Sequence, residues 1–131
     1  MKPGRPKSDI QEPSRSELEI LKVLWESGTA TVRFVNDRLN EQKAGVQYTS
    51  TLKLMQIMLD KGLVTRDNSQ MTHVYRAATA EHKTKKALLD RFVDTIYDGS
   101  ASSLMMHLLG STRPSKEELE KFKELVKKME S

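Results

Sequence analysis

At Gly62 the periodicity of the chain changes, and that change limits the folds open to it. Before it, Val46 to Lys61 carries apolar residues at helical spacing behind a polar Gln47-Tyr48-Thr49-Ser50-Thr51 opening. Beyond it, Leu63-Val64-Thr65-Arg66 and His73-Val74-Tyr75-Arg76 are short β-branched or aromatic segments around a polar tip, Asp67 to Thr72. The pattern predicts a helix that runs directly into a β-hairpin. On a wheel of about 100° per residue, Tyr48, Leu52, Met55 and Leu59 form a core stripe. Ser50, Lys53, Leu54 and Ile57 lie opposite, with Thr49 at the edge, and no carboxylate occurs before Asp60. Small hydroxyls at a helix N-terminus approach phosphates and base edges closely, so this face suits a groove-bearing polyanion. The segment reads as a DNA recognition helix, with Thr49, Ser50, Thr51 and Lys53 as its candidate contacts. Leu54 and Ile57 fit that face poorly. Either they meet thymine methyls, or the helix is turned by about one residue and buries them in part.

Two helices are expected upstream. Ser14 and Glu17 form a capping box that opens a helix through about Ser27, where Gly28 stops it. Its buried stripe is Leu18, Leu21 and Trp25, with Ile20 and Leu24 beside them. Thr29-Ala30-Thr31 caps a second helix to about Gln42, with Val32, Val35 and Leu39 facing inward. Three helices and a hairpin in this order make a winged helix-turn-helix unit over residues 14–78. Arg66 and Arg76 on the hairpin strands are candidates for backbone phosphates. The preceding tail, 1–13, holds three prolines and is expected to be loosely held. Its Lys2-Pro3-Gly4-Arg5-Pro6-Lys7 resembles the core of an AT-hook, with Arg5 placed to enter a minor groove.

From Thr79 the pattern is helical to the end. Leu88, Leu89, Phe92, Val93 and Ile96 mark a long helix, and Leu104, Met105, Leu108 and Leu109 a short one ended by Gly110. Ser115 and Glu118 form a second capping box before a helix bearing Leu119, Phe122, Leu125, Val126 and Met129. This is more apolar surface than three such helices bury alone, and a second copy of the chain covers it best. Residues 79–131 are therefore expected to be a helical dimerisation domain through Leu88, Phe92, Ile96, Leu104, Leu108, Leu119, Phe122 and Val126. The fold class is mainly α with a small β-hairpin wing.

Several functions are excluded on composition. There are no cysteines among the 131 residues, so disulfides, thiolate metal sites and cysteine nucleophiles are out. His73, His82 and His107 have no ligand spacing, and no metal or cofactor is expected. No phosphate-binding glycine loop or nucleophile elbow occurs, and an enzyme is not expected. The chain lacks an apolar run of membrane-spanning length, and a cytoplasmic location follows. A net charge of +4 is compatible with nucleic acid without establishing it.

Ser16-Glu17-Leu18-Glu19-Ile20-Leu21-Lys22-Val23-Leu24-Trp25, Ala30-Thr31-Val32-Arg33, Tyr48-Thr49-Ser50-Thr51-Leu52, Lys61-Gly62-Leu63-Val64 and Val74-Tyr75 together resemble the penicillinase-repressor (BlaI/MecI/CopY) family of winged-helix regulators. Ser103-Leu104 and Glu117-Glu118-Leu119 extend the resemblance to most of residues 14–129. It implies a homodimeric repressor on a palindromic double-stranded operator. Thr49, Ser50 and Lys53 would meet the major groove, and Thr31 and Arg33 the backbone. The copper-responsive branch carries a C-terminal cysteine cluster that this chain lacks. The β-lactam-responsive branch is cut by a membrane-bound sensor protease at an Asn-Phe bond, and the matching position here is His107-Leu108. Two alternatives remain beside the repressor: a ligand-responsive winged-helix regulator, and a winged-helix protein-interaction module that never meets DNA.

Overall fold

The structure is a computed structural model that describes residues 12–130. Its elements are α1 (Arg15–Ser27), α2 (Val32–Gln42), α3 (Tyr48–Lys61), β1 (Val64–Asp67), β2 (Val74–Ala77), α4 (Glu81–Ile96), α5 (Ala101–Ser111) and α6 (Lys116–Glu130). The fold is mainly helical, a winged helix-turn-helix followed by a helical region. The chain divides into two compact units inside α4, between Leu88 and Leu89.

In the first unit α1 starts where the capping box predicts. The Ser14 amide donates to Glu17 Oε1 at 2.8 Å, and the Glu17 amide donates to Ser14 Oγ at 3.2 Å. Pro13, expected in the loose tail, is buried at this entry. Ile20, Leu21, Val23 and Leu24 of α1 pack with Val32, Val35, Met55, Met58, Leu63, Val64 and Tyr75 into one core. Leu18 and Trp25 pack at its margin, which is less buried than the sequence pattern implies. The Trp25 indole is satisfied there by donating to the Thr79 carbonyl at 2.9 Å.

The turn after α3 places the wing. Gly62 adopts the left-handed conformation (φ 82°), its amide reaches Leu59 O, and the Leu63 amide reaches Met58 O at 2.9 Å. This Schellman closure needs a residue without a Cβ penalty, and it delivers Leu63 and Val64 straight into the core. β1 and β2 pair antiparallel, with Arg66 opposite Tyr75 and Thr65 opposite Arg76. Ala30 adds a third rung, exchanging hydrogen bonds with Tyr75 at 2.9 and 2.8 Å. The α1–α2 turn is thereby fastened to the wing.

The second unit is open. The Phe92 and Tyr97 rings meet tilted by 58° with centroids 5.8 Å apart, and the Tyr97 hydroxyl lies 2.7 Å from His107 Nδ1. No residue of α5 or α6 is buried. Helix α5 runs through Gly110 to Ser111 instead of stopping at the glycine, because Thr112 caps it by donating its amide to Leu108 O. The Ser115–Glu118 capping box forms as predicted. Among the described residues no helix is long and apolar enough to cross a membrane.

Glu17 joins the start of α1 to the end of α3, since Lys61 Nζ donates to its two carboxylate oxygens at 2.8 and 3.1 Å. Burial pushes this carboxyl's pKa up, but the Lys61 and Ser14 hydrogen bonds and the Lys61 charge outweigh it and hold the pKa below its ordinary value. A lowered folded-state pKa stabilises the fold above the unfolded value, and that contribution disappears as pH falls through the folded value. Glu17→Gln should cost about 1–3 kcal/mol at neutral pH, less than a fully buried pair because Lys61 is partly solvated. In urea unfolding from neutral pH to below the carboxylate range, the wild-type and variant stabilities should converge. An unchanging gap would contradict this role.

Candidate nucleic-acid interface

What α3 presents is decided by α2. The Asn36 side-chain amide donates to Thr51 Oγ1 at 2.9 Å and to the Val46 carbonyl at 3.1 Å, which uses both of its hydrogens. Asn40, one turn on, donates to the same carbonyl at 2.9 Å and accepts from the Val46 amide at 2.9 Å. The loop before α3 is thus clamped, and Thr51, 2% exposed, is drawn inward beside Met55 and Met58.

This turns the helix by roughly 60° from the orientation hydropathy predicts, on a wheel of 100° per residue. Two expectations change with it, and the choice left open for Leu54 and Ile57 is answered differently for each. Thr51 lies inside the fold bonded to Asn36, so it is not on the candidate contact face. Tyr48, expected in the core, is 40% exposed. Leu54 is half-buried against the core, while Ile57 stays outside at 40% exposure. The face that remains open carries Thr49, Ser50, Lys53 and Gln56. Gln56 has no precedent in the sequence reading. Its helical offset from Thr49 and Lys53 could have found it only once the buried centre of α3 was fixed.

Arg33 and Thr31 stand beside this face at the start of α2. Thr31 Oγ1 is the N-cap and accepts from the Phe34 amide at 3.1 Å. Arg33 is exposed, with its guanidinium carbon 5.0 Å from the centroid of the Tyr48 ring. On the wing, Arg66 lies over the Tyr75 ring at 6.0 Å, and its Nε is buried without a hydrogen-bond partner among the described residues. Arg33, Tyr48, Gln56, Arg66 and His73 line one cleft of about 530 Å³ between α2, α3 and the wing. Arg76 is exposed beside Thr65. The wing tip is held by Asp67, whose carboxylate accepts from the Ser69 amide at 2.9 Å and is kept below its ordinary pKa by that bond.

Other cations are engaged within the fold. Lys61 pairs with Glu17, and Arg38 pairs with Glu26 at 2.7 Å and Glu41 at 3.5 Å. Arg5 lies outside the described residues. In the second unit Phe92, Ile96, Leu108, Leu119, Phe122 and Val126 are exposed and Leu104 is half-buried, while Leu88, the last residue of the first unit, is half-buried. Among the described residues no group of acidic, histidine or cysteine side chains is placed to hold a metal ion.

A helix set by its neighbour's amides, displayed beside a wing, defines a winged helix-turn-helix protein. The chain belongs to the penicillinase repressor family, whose model matches residues 13–128, and its class is that of the transcriptional repressors. No curated protein matches it.

Asn36→Ala strands the Thr51 hydroxyl inside the fold and removes one of the two amide donors to the Val46 carbonyl. It should lower stability in urea unfolding by about 1–3 kcal/mol. A variant as stable as the wild type would show that the clamp does not set α3.

Proposed function

We propose that the protein is a homodimeric, cytoplasmic transcriptional repressor that occupies a palindromic operator. The observation that carries this is the open face of α3. Thr49, Ser50 and Lys53 are exposed, no carboxylate occurs on α3 before Asp60, and arginines flank the face from α2 and the wing. Lys53 reads a base edge in the major groove, while Arg33, Arg66 and the α2 terminus at Thr31 hold backbone phosphates.

The second unit supplies the pairing. Its exposed Phe92, Ile96, Leu119, Phe122 and Val126 present apolar surface to a second copy, and a palindromic operator calls for two α3 helices at a separation of about one or two duplex turns. Relief comes from cleavage by a membrane-bound sensor protease at His107-Leu108, or from another signal. The bond lies within α5, none of whose residues is buried and of which only Leu104 is half-buried, so local opening to an extended strand breaks the Tyr97–His107 contact but little packing.

The experiment is a salt titration of binding to an operator selected from a random duplex pool. Affinity should fall steeply with salt. Lys53→Ala should cost about 1–3 kcal/mol on the operator and little on random duplex, and Arg33→Ala should weaken both alike. Equal losses for Lys53→Ala would make it a backbone contact, and salt-independent or absent binding would favour a protein-interaction module. Full-length mass after exposure to the protease would remove cleavage as the relief step.

A further inference from the structure

We infer that Tyr48 is a positioning residue: its ring seats the Arg33 guanidinium so that Arg33 and Arg66 grip one strand's phosphates from two walls of the same cleft. The inference rests on the DNA-binding reading above and adds to it a residue that touches no base.

Tyr48 is the first residue of α3, and hydropathy alone would place its ring in the core. It is 40% exposed because the Asn36–Thr51 bond turns α3 away from that arrangement. The cost of leaving an aromatic ring half in water is offset where a cation covers its face, and Arg33 does so at 5.0 Å. A stacked guanidinium engages the ring with its face and keeps its N–H edges for a planar, bidentate acceptor such as a phosphate. An arginine on an open surface otherwise samples many rotamers, and that freedom would be lost on binding.

Across the cleft the arrangement repeats. Arg66 lies over Tyr75, which is buried and fixed by its two hydrogen bonds to Ala30. The Nε of Arg66 is buried and has no acceptor among the described residues. Two aromatic-seated arginines line one cleft, and Lys53 stands on the open face of α3 that borders it. A phosphodiester strand supplies acceptors to guanidinium groups that have none among the described residues.

The test uses the full chain and a mixed-sequence DNA duplex at fixed salt. Tyr48→Leu and Tyr48→Gln should each weaken binding by about threefold to tenfold, and Tyr48→Phe, which keeps the ring, should restore wild-type affinity. In an Arg33→Ala background neither ring deletion should weaken binding further, a result that a merely structural role for Tyr48 would not give. Thermal unfolding of each variant, with two different ring deletions, keeps a folding defect in one from deciding the outcome. Wild-type binding by both deletions, or losses that add fully to that of Arg33→Ala, would overturn the role of Tyr48 while leaving DNA binding intact. A wild-type chain that ignores duplex at low salt would overturn both.

Discussion

The Asn36 carboxamide donates one hydrogen to the Val46 carbonyl and the other to the Thr51 hydroxyl, and the surface that α3 displays follows from those two bonds. A buried amide with both donors used is costly to disturb, because the Thr51 hydroxyl would be left inside the fold with nothing to replace the lost donor. Asn40 doubles the hold on Val46. The clamp therefore fixes a rotation as well as a position. Thr51 goes in and Tyr48 comes out, while Lys53 stands at the centre of the open face.

Other contacts carry that rotation outward. Glu17 ties the last turn of α3 to the first of α1 through Lys61. The left-handed Gly62 then sends the chain into β1 without a spacer, so the wing stands close behind the helix that precedes it. Tyr75 bonds to Ala30 through its backbone and lies beneath Arg66 with its ring, and so fixes the wing to the α1–α2 turn. The arginines of the cleft are thus held on a frame whose parts are set by hydrogen bonds, while α5 and α6 keep their apolar residues in the open. The distribution of burial along the chain suits the proposed division into a rigid reading head and a pairing tail.

Much of this was legible in the sequence. Both capping boxes, the change of period at Gly62 and the apolar spacing of α1 and α2 fix elements through local chemistry, and those elements form where the residues indicate. The misfit of Leu54 and Ile57 left a turned α3 as one of two readings, but the sequence could not choose it, because the rotation depends on a partner fifteen positions away. Thr51 is polar and looks outward by hydropathy, and Tyr48 and Leu52 look inward. Only the donor on Asn36 reverses that order. Gln56 and the ring of Tyr48 were missed for the same reason. Gly110 misled for another: it is a helix stop by propensity, but Thr112 supplies the cap and α5 continues through it.

The central claim is that two copies of α3 are presented together by the apolar helices of the second unit. Sedimentation equilibrium of the purified chain, alone and with an excess of operator duplex, tests it most directly. The account predicts twice the mass of one chain in the free protein and two chains on each duplex. A particle of single-chain mass at micromolar concentration, with one chain per duplex, would contradict it.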